Sequence, residues 1–197
     1  GFGALGTKKA QVRAMADLVQ AGRIRAVGVS NFSARAMREA ARVLETHGLP
    51  LASNQVRYSL LDRRIETSGV MDTARELGVT IMPYSPLAQG VLSGRFHEDQ
   101  EAASRLSGPR RYQRAFRRKG LEESGEVVRA LKAIARDRDL TPAQVSLRWL
   151  LDAHGDMVVA IPGASSRGQA RDNAEAMDFQ LTEEEIRSLD RASRRFR

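Results

Sequence analysis

The sequence of 197 residues contains no cysteine and only three histidines. The absence of cysteine excludes disulfide bonds, zinc sites built from thiolates, and cysteine nucleophiles. His47, His97 and His154 are far apart in the sequence and show no metal-ligand spacing, so we expect no bound metal. No apolar run approaches the roughly 18 residues of a transmembrane helix, and no secretory leader is visible. We therefore expect a cytoplasmic protein that does not contact a membrane.

The sequence has 32 basic and 24 acidic residues, which gives a formal net charge of +8. Such a charge alone is compatible with binding to nucleic acid or to another anionic surface. The arginines, however, are scattered from Arg13 to Arg197, and only two places are dense: residues 105–119 and the tail from Arg194. We interpret the tail as solvated surface and expect no nucleic-acid partner. Salt-dependent retention on DNA would indicate the opposite.

The hydrophobic pattern alternates between a helical period and short β-branched apolar runs, which indicates a series of βα units. Strands are predicted at residues 24–29, 51–58, 79–84 and 157–161. Helices are predicted at residues 7–20, 34–47, 65–77, 123–138, 142 to about 153, 166–177 and from 182 onwards. Residues 85–122 are predicted to be irregular.

Short strands that are apolar nearly throughout are typical of an α/β fold in which helices cover a parallel sheet. Four parallel strands with covering helices fit either an open doubly wound sheet or part of a (β/α)8 TIM barrel. A complete barrel takes about 250 residues and eight strands, so four strands correspond to half of one. We expect residues 1–197 to form a single domain of this kind.

Polar and aromatic side chains follow the predicted strands, at the carboxyl ends where parallel sheets bind ligands. Ser30 and Asn31 follow the first strand, Gln55 lies in the second, and Tyr84 ends the third. The fourth leads into Gly-Ala-Ser-Ser at 163–166, small residues before a helix whose free N–H groups attract phosphate. These groups suit a carboxamide, a ring and phosphates. Taken alone, Tyr84 fits a core position equally well, and many βα loops look like residues 163–166.

Four sequence blocks combine these residues: Gly-Val-Ser-Asn-Phe at 28–32, Asn-Gln-Val at 54–56, Tyr-Ser-Pro-Leu at 84–87 with Gly90, and Ile-Pro-Gly-Ala-Ser-Ser at 161–166 with Gln169, Asp172 and Asn173. In this order and spacing, they resemble the C-terminal half of the aldo-keto reductase family. The resemblance covers nearly the whole chain. Ser-Gly-Pro-Arg at 107–110 and the run at 143–150 resemble bacterial and plastid members. The family implies the second half of a (β/α)8 barrel and the reduction of a small carbonyl substrate by hydride transfer from NADPH.

The resemblance also implies which residues bind the cofactor. Ser30, Asn31 and Gln55 would hydrogen-bond the nicotinamide carboxamide, and Tyr84 would stack on the ring. The residues along the phosphates and the adenosine would be Ser85, Pro86, Leu87, Arg95, Arg110, Arg111, Gly163, Ser165, Ser166, Gln169, Asp172 and Asn173. Arg95 takes the place of a phosphate-contacting lysine, whereas Gly163-Ala164 replaces the Lys-Ser of many members. NADPH is therefore the expected cofactor, with NADH as the alternative.

The family's catalytic aspartate, tyrosine, lysine and histidine lie on its first four strands, which this sequence does not contain. Tyr58, Tyr84 and Tyr112 match cofactor-half or loop positions, so we assign no catalytic residue. We expect the N-terminal barrel half, or another copy of the chain, to pack against the exposed strands. The alternative function is a non-catalytic nicotinamide-nucleotide-binding module that senses redox state or binds a partner.

Overall fold

A computed structural model describes residues 6–99 and 113–197, and these residues fall into two compact units. The first unit contains the described residues up to Val56 together with Ile65–Met82. The second contains Arg57–Arg64 and the described residues from Pro83 to Arg197. The predicted cofactor residues Arg110 and Arg111 lie outside the described residues.

The described residues form one sheet of three strands, β1 Val27–Ser30, β2 Leu51–Arg57 and β3 Thr80–Tyr84, in the order β1-β2-β3. β1 and β2 pair in parallel, with Val29 opposite Asn54 and Ser30 opposite Gln55. A Cβ added to Gly28 would overlap the Ser53 hydroxyl, so a larger residue on β1 would force that hydroxyl to move. The register places the polar end of β1 beside the polar middle of β2.

The prediction of a fourth strand at residues 157–161 is wrong for the part of the chain that the structure describes. Gly155–Met157 forms a 3-10 turn, and Ile161 makes a single backbone hydrogen bond, from its N–H to the Pro83 carbonyl at 3.4 Å. Pro83 and Pro162 have no N–H to donate, so a regular ladder loses donors on both sides. The segment lies beside β3 without forming a strand.

Three helices surround the core of the first unit: α1 Lys8–Gln20, α2 Ala34–Glu45 and α3 Val70–Leu77. Thr7 and Ser33 cap α1 and α2 by accepting hydrogen bonds from backbone N–H groups in the first turn. α2 packs against both α1 and α3. Fully buried side chains from helix and strand, including those of Met37 and Ile81, form the core.

The prediction that α3 begins at residue 65 is wrong. A 3-10 turn occupies Arg64–Glu66, and the helix begins only after Gly69, whose φ is +79°. A left-handed residue at this position ends one helical turn and prevents it from continuing into the next.

The second unit is mainly helical within the described residues. Its helices are α4 Arg95–Glu98, α5 Arg118–Asp137, α6 Pro142–Asp152, α7 Arg167–Glu175 and α8 Glu183–Ser193. α5 packs against α6 and α8, around fully buried side chains such as Trp149, Leu131 and Leu189. Capping boxes begin α6 and α8: Thr141 with Gln144, and Thr182 with Glu185. These two helices therefore begin where the sequence predicts.

α5 begins at Arg118, five residues before the predicted start at 123. Gly120 disfavours a helix in the sequence because glycine lowers helix propensity. In the structure Gly120 is buried, and a Cβ there would overlap the Arg114 carbonyl oxygen. Close packing therefore explains the glycine, and the helix continues through it.

Candidate functional site

Three of the predicted binding residues lie together in the first unit, where β1 ends beside β2. The Gln55 carbonyl oxygen accepts two hydrogen bonds, from the Asn31 N–H at 2.8 Å and from the Ser30 hydroxyl at 3.1 Å. The Asn31 side-chain amide donates to the Ser30 hydroxyl oxygen at 3.3 Å. Ser30, Asn31 and Gln55 therefore form one hydrogen-bonded group, which we call the amide cluster.

Two side-chain groups of the amide cluster are not used in hydrogen bonds within the described residues. Within residues 6–99 and 113–197, the Asn31 side-chain oxygen and the Gln55 side-chain amide have no hydrogen-bond partner. Asn31 is exposed and Gln55 is half-buried. Together they offer a free acceptor oxygen and a free amide, which complement the NH₂ and C=O of a carboxamide.

In the second unit, Tyr84 ends β3 and is half-buried. The next residue, Ser85, has a φ of +54° and turns the chain out of the strand. Its carbonyl accepts a hydrogen bond from the Ala88 N–H at 2.8 Å, which closes the turn over a buried Pro86. A left-handed conformation costs roughly 1 kcal/mol for a residue with a side chain, so the turn depends on its surroundings. The predicted residues 84–87 thus follow one another along this turn.

Arg95 is the first residue of α4 and is exposed. Its guanidinium forms no ion pair with any of the described acidic side chains. Nearby, the Lys132 side chain on α5 forms an ion pair at 2.7 Å with Glu98, which lies on α4. Arg95 therefore remains available to an anionic ligand.

The predicted adenosine-end residues lie where the loop from Gly163 enters α7. Ser165 donates to the Gln169 side-chain oxygen twice, from its N–H at 2.7 Å and from its hydroxyl at 2.9 Å. Ser166 caps the helix by accepting from the Gln169 N–H at 3.2 Å. The Asn173 amide donates to the Gly163 carbonyl at 3.4 Å. Gln169 and Asn173 thus hold the shape of the loop through hydrogen bonds at the surface.

The α7 N-terminus has no acidic residue in its first turn, and Arg167 and Arg171 are exposed on this helix. Asp172 is half-buried and forms no ion pair with the described cations. Because the unpaired N–H groups of a first helical turn attract anions, the local charge favours a phosphate group there.

One functional candidate was not identified from the sequence. Asn54 lies between Ser53 and Gln55 on β2, and its side chain is completely buried. An asparagine buried in a strand is itself a signal, because buried amides need hydrogen-bond partners.

Comparison with known proteins agrees with the residue blocks. The profile of the Aldo/keto reductase family matches residues 7–194. The chain belongs to this family. An aldo-keto reductase of Strobilurus tenacellus is 36% identical over 183 residues, which are 90% of this chain and 51% of that protein. An aldo-keto reductase of Schizosaccharomyces pombe, whose name includes NADP(+), is 35% identical over 181 residues, 89% of this chain and 50% of the relative.

Solved structures of family members have the same fold. The glycerol dehydrogenase of Gluconobacter oxydans matches with a TM-score of 0.81 at 27% identity, over 97% of this chain and 55% of that one. This aldo/keto reductase chain therefore spans about half the length of the relatives it matches. Its α/β fold with a parallel sheet is the family's fold.

Two kinds of feature are absent from residues 6–99 and 113–197. None of the helices there is long and apolar enough to cross a membrane. No group of three or more histidine, aspartate or glutamate side chains in that part of the chain is arranged to hold a metal ion.

Proposed function

We propose that this chain is the cofactor-binding, C-terminal half of an NADPH-dependent oxidoreductase that reduces an aldehyde or a ketone. The amide cluster is the observation that carries the proposal. Its free Asn31 oxygen accepts from the carboxamide NH₂, and the Gln55 amide donates to the carboxamide oxygen. The residues present therefore fit a nicotinamide group. When bound, NADPH supplies the hydride.

The amide cluster orients the nicotinamide. Two amide contacts to one carboxamide fix the rotation of the ring, and orientation of this kind lowers the entropic part of a reaction barrier. The Ser30 hydroxyl supports the arrangement because it links the Asn31 side chain to the Gln55 backbone.

The family resemblance supplies the remaining assignments. Tyr84 stacks on the nicotinamide ring, and Ser85, Pro86 and Leu87 follow the pyrophosphate. Arg95, Ser165, Ser166 and the free N–H groups of α7 recognise the 2′-phosphate, which distinguishes NADPH from NADH. Gln169 and Asn173 keep the loop in place, as their contacts to Ser165 and Gly163 support. Arg110 and Arg111 remain predicted phosphate contacts.

We assign the proton donor to a part of the protein that this sequence does not contain. Tyr58 does not meet the need: it is fully buried, and its hydroxyl hydrogen-bonds the His154 ring, so no substrate carbonyl reaches it. A missing N-terminal barrel half, or another copy of the chain, would supply the donor. The carbonyl substrate is a small molecule.

The test uses the full product of the gene. It should bind NADPH and oxidise it in the presence of a panel of aldehydes and ketones, with the loss of absorbance at the reduced-nicotinamide band as the readout. Binding without oxidation of NADPH by any carbonyl would favour the second candidate, a non-catalytic redox-sensing module. The full burial of Tyr58, which prevents it from acting as a proton donor, is the observation that supports this candidate. Failure to bind NADPH would contradict both.

A further inference from the structure

Asn54 holds the backbone of Phe32 at two points. Its side-chain oxygen accepts from the Phe32 N–H at 3.3 Å, and its amide nitrogen donates to the Phe32 carbonyl at 2.9 Å. The same nitrogen lies 3.1 Å from Met37 Sδ on α2. The side-chain amide thus gives Phe32 the donor and acceptor that a neighbouring strand's backbone would otherwise give.

The segment that Asn54 holds contains a strained residue. Asn31, immediately before Phe32, has a φ of +56°. The Gln55 carbonyl accepts the Asn31 N–H on one side of this residue, and the Asn54 amide holds Phe32 on the other. A strained conformation persists when its surroundings over-determine it. Gln55 and Asn54, which are consecutive on β2, therefore fix the backbone of Asn31 and Phe32, the turn that follows β1.

Asn54 itself does not reach the surface of the amide cluster. Its side chain has no exposed area, and its polar contacts are with Phe32 and Met37. Any influence on a ligand must pass through the backbone of residues 31–32. An apolar side chain in its place would leave two polar groups of Phe32 without these partners, and unsatisfied buried groups are costly.

We propose that Asn54 is a positioning residue for nicotinamide binding. It fixes the left-handed turn at Asn31, and so it sets the direction in which the Asn31 side-chain oxygen meets the carboxamide. This inference rests on the proposed function, and it assigns a binding role to a residue that contacts neither cofactor nor substrate.

Two variants and one control separate positioning from general stability. Asn54→Ala removes both contacts to Phe32, whereas Asn54→Asp keeps the acceptor for the Phe32 N–H and loses the donor to its carbonyl. The control Val43→Ala trims a buried side chain of α2 in the same unit and removes none of the hydrogen bonds that hold residues 31–32. All proteins are full gene products, measured well below their melting temperatures.

The first readout is amide hydrogen exchange at Phe32 without cofactor, and the second is the Kd for NADPH. In Asn54→Ala we expect exchange at Phe32 and the Kd each to rise about tenfold, the effect of losing roughly one to two net hydrogen bonds. Asn54→Asp should raise both readouts at least as much, because its second carboxylate oxygen faces the Phe32 carbonyl and cannot donate to it. Val43→Ala should lower the melting temperature and leave both readouts unchanged.

The possible failures differ. A wild type that binds NADPH beside an Asn54→Ala protein of equal affinity overturns the positioning role and leaves the proposed function intact. The same holds if Val43→Ala weakens NADPH binding as much as Asn54→Ala does, since the effect would then follow stability alone. A wild type that does not bind NADPH overturns both the proposed function and this inference.

Discussion

Arg63 and Asp190 form a largely buried ion pair in the second unit, 2.6 Å apart, in which the Arg63 side chain is only 3% exposed. The Arg63 guanidinium also donates to the Ser193 hydroxyl at 2.7 Å, and its backbone N–H donates to the Phe196 carbonyl at 2.7 Å. One arginine from the loop after β2 therefore fixes the end of α8 and the turn that follows it.

Asp190→Asn should lower the free energy of unfolding by about 2–3 kcal/mol, because it removes a charged partner from a buried guanidinium. The matched control is Glu183→Gln on the same helix. Its pair with Arg187 is mostly exposed, so its loss should cost at most about 0.5 kcal/mol. Urea unfolding at neutral pH measures both. Equal losses in the two variants would contradict the prediction.

The ion pair between Arg63 and Asp190 also predicts that the stability of the fold depends on pH in the acidic range. Burial raises the pKa of Asp190, but the hydrogen bond and charge of Arg63, with Arg197 and Arg194, outweigh this and hold its pKa below the usual range. A depressed carboxyl pKa stabilises the fold above the unfolded-state pKa of about 4, and that contribution is lost as pH falls through the folded-state pKa. The stability gap between wild type and Asp190→Asn should therefore shrink in acid. A gap that stays constant from pH 7 to pH 2 would contradict this account.

His97 predicts a second effect of pH on the stability of the fold, in a pH range closer to neutral. Its Nε2 lies 3.2 Å from the Leu121 carbonyl, and Nδ1 is buried without a partner among the described residues. Burial lowers the pKa of His97, against the opposing effect of the Leu121 carbonyl. The unfolded chain then binds a proton near pH 6.5 that the folded protein does not, so stability falls as pH falls through about 6.5. His97→Gln should show a shallower loss between pH 7 and pH 5. If His97→Gln and the wild type lose stability equally between pH 7 and pH 5, groups other than His97 cause the loss.

Tyr84 is predicted to bind the nicotinamide ring by stacking. Tyr84→Ala should therefore weaken NADPH binding by about 1 kcal/mol or more. Tyr58→Phe is the control, because Tyr58 is fully buried and the change keeps its ring while removing its hydroxyl. Fluorescence titration gives both affinities. Unchanged affinity in Tyr84→Ala would make Tyr84 a packing residue.

Arg95 is predicted to recognise the 2′-phosphate. Arg95→Ala should weaken NADPH binding by about 1.5–3 kcal/mol, the scale of a charge-assisted hydrogen bond, and affect NADH much less. Arg35→Ala serves as the control, because Arg35 is exposed and pairs with Glu39 on α2. Equal losses for the two cofactors would place Arg95 on the shared pyrophosphate. Equal affinities in the wild type would mean that Gly163-Ala164 has removed the preference.

Local signals in the sequence were enough to locate most of the helices. Thr141 and Thr182 cap helices as predicted, because a capping box involves only neighbouring residues. The predictions are wrong where tertiary packing determines the conformation of the backbone. Gly120 is helical because the chain packs closely against it, and residues 157–161 do not form a ladder because prolines stand on both sides.

The candidate site also contains residues that the sequence predicts and a residue whose role it does not. Ser30, Asn31 and Gln55 were predicted as site residues from their places on the strands and from the family resemblance, and the structure brings them within hydrogen-bonding distance. The role of Asn54 was not predicted, because it depends on a contact between residues 22 positions apart. Sequence alone shows that a buried amide needs partners, but not which backbone groups provide them.

The most direct test of the amide cluster compares two ligands on the full gene product: NADPH, and 2′-phospho-ADP-ribose, which lacks the nicotinamide. Gln55→Leu keeps the size of the side chain and removes its amide. We predict that this variant binds NADPH about tenfold more weakly than the wild type does, the effect of one lost hydrogen bond, and binds 2′-phospho-ADP-ribose equally well. Equal weakening for both ligands, or no loss for NADPH, would contradict the assignment of the amide cluster to the nicotinamide.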